Sequence, residues 1–200
     1  MPAPSRTQIT GLVLAGGRGA RMGGADKGWV DYEGEPLVRH VLRRFAPQVR
    51  TVLISANRNL AAYRALGDVV TDAEQDVALE PFPGPLAGVL AGLRKADSEW
   101  VAVVPCDAPA LPLDLVERLS AAVGDADVAC PVAGDRRQPV FALMRRSGVT
   151  SLRAFLQSGG RAMQRWFETL RMVDVPFGTG DGFDNINETG VPGKPAGNPT

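Results

Sequence analysis

Residues 11–27 read Gly-Leu-Val-Leu-Ala-Gly-Gly-Arg-Gly-Ala-Arg-Met-Gly-Gly-Ala-Asp-Lys. The apolar run that enters this stretch, Ile9 to Ala15, has the length of a buried strand. It breaks into a loop with glycines at 16, 17, 19, 23 and 24 and cations at Arg18, Arg21 and Lys27. A strand feeding a glycine-rich, cationic loop suits phosphate. Glycine lets backbone N–H groups converge on an anion, and the cations neutralise its charge. An idle surface loop is the competing explanation, but that many glycines would be a large entropic cost with no return. Two better-known phosphate loops are excluded. A P-loop needs Gly-Lys-Ser/Thr, and Lys27 lies between Asp26 and Gly28. A dinucleotide fingerprint from Gly17 and Gly19 would place its third glycine on Met22.

Outward from this loop the chain alternates between strand and helix patterns, which predicts an α/β fold with a mainly parallel sheet. Strands are expected over 49–55, 68–71, 100–104, 128–132, 138–144 and 172–175. Helices are expected from Pro36, over 59–66, from Gly84 to about 96, and over 113–123, 149–157 and 162–170. The strand at 138–144 could cover one side of an acceptor site. In sheets of this kind ligands gather at the carboxyl ends of strands. The glycine loop, Ser55 with Asn57, and Asp72 all belong to that edge. So does Pro105-Cys106-Asp107-Ala108-Pro109, which follows a nearly all-apolar run. A carboxylate just past a buried strand suits Mg²⁺, which takes one or two carboxylates and completes its shell with substrate phosphate oxygens and water. Asp107 is therefore the expected metal ligand. Glycines at 84 and 88 permit close approach at a helix start, for a ligand or for packing alone. His40, the only histidine, falls opposite the apolar face of its helix and is not expected to be a catalyst.

The totals narrow the class. Two hundred residues suggest one domain with a full core. Basic and acidic residues balance at 22 each, so no chain-wide attraction to nucleic acid or an anionic membrane is expected. Cys106 and Cys130 lack metal-ligand spacing and read as buried thiols in a reducing compartment. With no signal-peptide h-region and no apolar run near 18 residues, a cytoplasmic protein is expected. Residues 1–7 should be a flexible N-terminus, 8–189 the domain, and 190–200, rich in proline and glycine, a disordered tail.

Leu14-Ala-Gly-Gly followed by Arg21-Met-Gly-Gly-x-Asp-Lys27 resembles the nucleotide loop of the molybdenum cofactor guanylyltransferases. The broader nucleotidyltransferase superfamily shares a looser form. Pro83-Gly-Pro-Leu-Ala-Gly88 and matches running to Asn187 extend the resemblance over nearly the whole chain. It implies a single three-layer domain of Rossmann-like nucleotidyltransferase topology. It also implies transfer of GMP from Mg²⁺-bound GTP to the terminal phosphate of molybdenum-molybdopterin, with release of pyrophosphate. Arg21, Lys27 and Asp107 would be catalytic. Leu14, Ala15, Gly16, Gly17, Lys27, Ser55, Asp72 and Asp107 would contact GTP. Gly84, Gly88, Arg161, Asn185 and Asn187 would face the acceptor. Molybdoenzyme maturation proteins are candidate partners. The chain departs from the family at Ser55, where asparagine is usual, and after Asn187, where the usual continuation is broken. A cytidylyl or sugar-phosphate nucleotidyltransferase, or a nucleotide-binding regulator without catalysis, are the alternatives.

Overall fold

The computed structural model describes residues 2–16, 26–72, 84–178 and 182–186. Strand β1, Ile9–Leu14, runs through the middle of an eight-stranded sheet. Its parallel neighbours are β4 (Thr51–Ser55) on one side and β6 (Trp100–Pro105) on the other. Beyond β4 lies β5, Asp68–Val70. Beyond β6 lie β9 (Ala142–Arg145), then β7 (Val128–Ala133) and β10 (Met172–Pro176). A short β8, Arg136–Arg137, pairs with β7. A separate hairpin joins β2, Asp31–Tyr32, to β3, Glu35–Pro36.

Alternation along the strands splits the core into two layers. Ile9 and Val13 of β1, Ile54 of β4, and Ala102 and Val104 of β6 all face one cluster. Leu12, Leu53, Val101 and Val103 face the other. This is the period-2 consequence of pleating in a sheet covered on both faces. The first cluster is closed by α1 (Leu37–Phe45), by Tyr63 of α2 (Leu60–Arg64) and by α4 (Leu115–Val123). The second is closed by α3 (Pro85–Lys95), α5 (Val149–Gln157) and α6 (Met163–Phe167). Where helix meets sheet most closely, glycine is required. A Cβ on Gly92 of α3 would overlap the Leu12 side chain.

The sheet order puts a switch point at β1. The chain winds from β1 outward through β4 to β5, then crosses back to lay β6 on the opposite side. A crevice is expected there, outside the carboxyl ends of β1, β4 and β6.

Four expectations change. The strand expected over 138–144 begins only at Ala142. Residues before it turn, with Gln138 N–H bonded to the Pro131 carbonyl and Phe141 N–H to the Gln138 carbonyl. β9 runs antiparallel between β6 and β7, and Ala142, Leu143 and Met144 are all buried. It is core, not the wall of an acceptor site. β8, two exposed arginines, carries no apolar signal and was not foreseen. The first seven residues are not uniformly loose: Arg6–Gln8 form a 3₁₀ turn, and Arg6 Nε donates to the Val49 carbonyl at 2.9 Å. His40 is half-buried, its Nε2 2.8 Å from the Tyr32 carbonyl, so it serves the hairpin. The proposed tail at 190–200 lies outside the described residues.

Candidate active site

Past the strand ends the ladder continues for one more step. Ala15 N–H donates to the Ser55 carbonyl at 2.8 Å, Ala56 N–H to Val70 at 3.0 Å, and Cys106 N–H to Leu14 at 3.1 Å. These bonds hold Gly16, Asn57 and Asp107 at one edge, each just beyond its strand.

Two clusters form there. In the first, Asn57 and Asp72 grip each other. Asn57 Nδ2 donates to Asp72 Oδ2 at 2.8 Å, and Asp72 N–H donates to Asn57 Oδ1 at 2.9 Å. The other carboxylate oxygen, Asp72 Oδ1, is buried and has no hydrogen-bond partner among the described residues. Burial pushes the Asp72 carboxyl above the usual range, against a smaller downward pull from the Asn57 amide. A buried acceptor without a donor costs free energy, so this oxygen marks a place where a donor is wanted. Gly16 completes the rim, since a Cβ there would come to 3.1 Å from Asn57 Nδ2.

In the second cluster, the Lys27 ammonium forms an ion pair with Asp107 Oδ2. Asp107 is 7% exposed, held at the turn that ends β6. Lys27 opens a 3₁₀ turn, Lys27–Trp29, whose Trp29 ring packs on Tyr63 of α2. The Cys106 thiol beside Asp107 is pushed well up, first by burial and then by the Asp107 charge, so it stays a neutral filler. Among the described residues, no three histidine, cysteine, aspartate or glutamate side chains could hold a metal by themselves.

The last described segment reaches this turn. Ile186 N–H donates to the Asp107 carbonyl at 2.9 Å. Phe183 anchors the segment, meeting Phe141 and Phe177 edge-on at 5.0 and 5.2 Å. The exposed Asn185 therefore stands next to a residue bonded to Asp107.

The remaining expected site residues divide. Gly84 precedes α3 with φ 76°, a left-handed value that suits glycine, and a Cβ there would lie 3.7 Å from the Arg161 carbonyl. Gly84 and Arg161 are thus brought together. The Arg161 guanidinium itself is turned back, donating to the Leu156 and Gly160 carbonyls at 3.0 and 2.7 Å, where it caps α5. Gly88, expected on the acceptor side, is buried inside α3. A Cβ there would overlap Ser55 Oγ and come to 3.2 Å from Leu14 Cδ2, so its place is helix-on-sheet packing. Ser55, expected at the base, is 1% exposed and lies beneath that same glycine. Gly17, Arg21 and Asn187 lie outside the described residues.

One set of residues escaped the sequence. Asp26 Oδ1 accepts the Tyr63 hydroxyl at 2.7 Å, and Oδ2 accepts Asn59 Nδ2 at 3.0 Å. Asp26 had been visible as the partner of Lys27 in the loop motif, but nothing local points to an acceptor for a tyrosine from a helix 37 residues further on.

With this geometry in view, comparison with known proteins is specific. A family model described as the MobA-like NTP transferase domain matches residues 11–175. A molybdenum cofactor guanylyltransferase of Cupriavidus metallidurans is 50% identical over 191 residues, 92% of each chain. One from Burkholderia ambifaria is 47% identical over 198 residues, 93% of each chain. Among solved structures, molybdopterin-guanine dinucleotide biosynthesis protein A from Archaeoglobus fulgidus shares the fold. It superposes with a TM-score of 0.67 at 24% identity, over 84% of this chain and 83% of that one.

Proposed function

The chain belongs to the MobA-like NTP transferase family, a family of nucleotidyltransferases, and from that membership we propose that it transfers GMP from GTP to the terminal phosphate of molybdenum-molybdopterin. The observation that carries the proposal is the ion pair of Lys27 with Asp107 at the switch-point crevice. In the reaction an oxygen of the acceptor's phosphate attacks the α-phosphorus of GTP. The bond from that phosphorus to the oxygen bridging to the β-phosphate breaks, and pyrophosphate leaves with the electron pair. The groups a protein must supply for this are charge and position.

Lys27 supplies the charge. Before nucleotide binds, its ammonium is neutralised by Asp107. When a triphosphate arrives, Lys27 exchanges that carboxylate for phosphate oxygens and stabilises the departing pyrophosphate. Asp107 is then free to hold a cation of its own, a reading supported by the ammonium that now lies beside it. Mg²⁺ fits this donor set, with one carboxylate from the protein and the other ligands from phosphate oxygens and water. Bound there, it would supply charge neutralisation at the α-phosphate. By the family resemblance, the backbone N–H of Gly16 and the cation Arg21 would complete the phosphate site. No general base is required, because a phosphate monoester with a second pKa of about 6 is largely a dianion at neutral pH.

Guanine is selected at Asp72. Its Watson–Crick edge presents two adjacent donors, N1–H and N2–H₂, and the orphaned Asp72 Oδ1 is an acceptor. Cytosine and adenine each offer one amino donor beside an acceptor that would face the carboxylate. A mispaired buried group costs about 1–3 kcal/mol, which sets the discrimination. Ser55 is not needed for this, and Asn57 acts by holding Asp72. By the family resemblance, Asn185, Asn187 and Arg161 would serve the acceptor, Arg161 after releasing the carbonyls it now caps. The dinucleotide product would pass to molybdoenzyme maturation proteins.

The test is pyrophosphate release from GTP and CTP in competition, with Mg²⁺ and molybdenum-molybdopterin as acceptor. Preferential use of GTP supports the proposal. Equal use of CTP would favour a cytidylyltransferase, and no release from either would favour a binding protein.

A further inference from the structure

Asp26 has no part in the chemistry above, yet it is a buried carboxylate one residue from Lys27. It is 8% exposed, and both oxygens are engaged. Oδ1 accepts the Tyr63 hydroxyl at 2.7 Å and the Gly28 N–H at 3.3 Å. Oδ2 accepts Asn59 Nδ2 at 3.0 Å, and Arg58 Nε lies 3.9 Å away. Three of the roughly four acceptor sites of the carboxylate are thus taken within the protein, with Arg58 beside Oδ2. Such a carboxylate is not a cheap way to fill a core, since apolar side chains of similar volume usually stabilise as well or better than buried charge.

The surroundings are shaped to bring these donors in. A Cβ at Gly28 would overlap the Tyr63 hydroxyl oxygen, so only glycine lets that oxygen reach Asp26. Asn59 sits at φ 50°, a left-handed conformation seldom adopted by non-glycine residues. Its carbonyl accepts the Tyr63 N–H at 3.1 Å while its side chain binds Asp26. The Trp29 ring packs on Tyr63 with centroids 5.3 Å apart. Burial, with Asp26's bond next, pushes the phenol pKa well up, so Tyr63 remains a donor at any working pH. Everything converges on Asp26, the N-cap of the 3₁₀ turn whose first residue is Lys27.

We propose that Asp26, held by Tyr63, Asn59 and Arg58, is a positioning residue that fixes the Lys27–Trp29 turn so that the Lys27 ammonium is delivered to Asp107. The consequence for catalysis rests on the nucleotidyl-transfer reading. The consequence for the nucleotide-free protein does not. The geometry links three separated parts of the chain: the loop after β1, the start of α2, and the turn after β6. The left-handed backbone at Asn59 and the close approach at Gly28 are both compatible with this single purpose.

Tyr63→Phe is the selective perturbation, because it keeps the ring against Trp29 and removes one hydroxyl. In the full-length protein kcat/KM for GTP should fall about tenfold, equivalent to ~1.4 kcal/mol. On a Lys27→Ala background the same change should cost nothing further, since no ammonium remains to be positioned. Losses that multiply on that background, or an unchanged rate in Tyr63→Phe, would overturn the proposal. A second readout needs no catalysis: proton exchange of the Lys27 ammonium, followed by NMR in ¹⁵N-lysine protein without nucleotide. Exchange should be faster in Tyr63→Phe than in the wild type, and equal exchange overturns the proposal. If the wild type releases no pyrophosphate at all, the enzymatic reading fails while the NMR comparison still decides on positioning. Asp26→Asn should act more strongly in the same direction. Should that variant not fold, Tyr63→Phe and Asn59→Ala carry the test.

Discussion

Substituting Gly88 by alanine tests whether that glycine serves packing or ligand. The added Cβ would overlap Ser55 Oγ and lie 3.2 Å from both Ser55 Cβ and Leu14 Cδ2. Ser55 is attached to β4 and Leu14 to β1, two strands in the middle of the sheet, so neither backbone can retreat. Overpacking of this kind costs about 1–3 kcal/mol. Alanine in a helix interior returns roughly 0.5–1 kcal/mol relative to glycine. The overlap with Ser55 Oγ puts the cost in the upper half of its range, so the net loss is about 1–2.5 kcal/mol. For a chain of this length each kcal/mol moves the melting temperature by about 2–4 °C, so Gly88→Ala should melt roughly 2–10 °C below the wild type. Adding Ser55→Ala removes the overlapping oxygen and leaves only the two 3.2 Å contacts, which shifts of a few tenths of an ångström relieve. The double variant should therefore recover most of the loss. Circular-dichroism melts of the four proteins, with steady-state kinetics alongside, make the comparison. A single variant that melts with the wild type, or a double variant no more stable than Gly88→Ala, refutes the packing account. A raised KM for the acceptor with an unchanged melt would restore Gly88 to the acceptor site.

Lys27→Ala should reduce turnover roughly 30- to 1000-fold, the range for losing one charge-stabilising donor in a transition state. Initial-rate pyrophosphate release measures this, and undiminished turnover removes Lys27 from the mechanism. Asp107→Asn should abolish Mg²⁺-dependent transfer while GTP still binds in a calorimeter, because asparagine keeps the volume and loses the charge. Normal turnover at limiting Mg²⁺ would refute the assignment. Asp72→Asn should lower the preference for GTP over CTP and raise the melting temperature at pH 7. The folded Asp72 carboxyl titrates above its unfolded value of about 3.9. Its contribution to stability is therefore fully present below that value and is lost as pH rises through the folded one. Melts at pH 4 and pH 7 check the sign, since the gain from Asp72→Asn should shrink at the lower pH.

Much of the architecture was legible because it depends on local patterns. The apolar run before Gly16 and the unbroken run Trp100–Val104 mark strands buried on both faces, and they lie side by side at the centre. The proline bracket around Asp107 marked a special turn, and that turn holds the ion pair with Lys27. What escaped was decided by contacts across long stretches of chain. Ser55 and Gly88 belong to different elements, and only their collision shows that one fills the space the other vacates. An arginine such as Arg161 looks the same in sequence whether it faces a ligand or caps its own helix. Nothing in the composition of 138–144 says where the turn ends, since Phe141 and Ala142 are equally buried. The Tyr63–Asp26 bond was invisible because neither residue carries a spacing that predicts it.

The hydrogen bond from Ile186 N–H to the Asp107 carbonyl has a temporal meaning. Chains emerge from the ribosome with the amino end first, and domains tend to assemble in that order. All the strands that flank β1 are available once Pro105 has emerged, so the nucleotide half of the crevice can close while translation continues. The turn that carries Asp107 cannot receive its last main-chain partner until Ile186 has been made and Phe183 has found its place between Phe141 and Phe177. A shorter nascent chain thus has the Asp107 turn without this closing bond. Because the link is made by backbone and not by side chain, point substitutions at 107 or 186 leave it in place, with proline at 186 the exception. Closure of the turn that carries Asp107 is thereby tied to synthesis having reached Ile186.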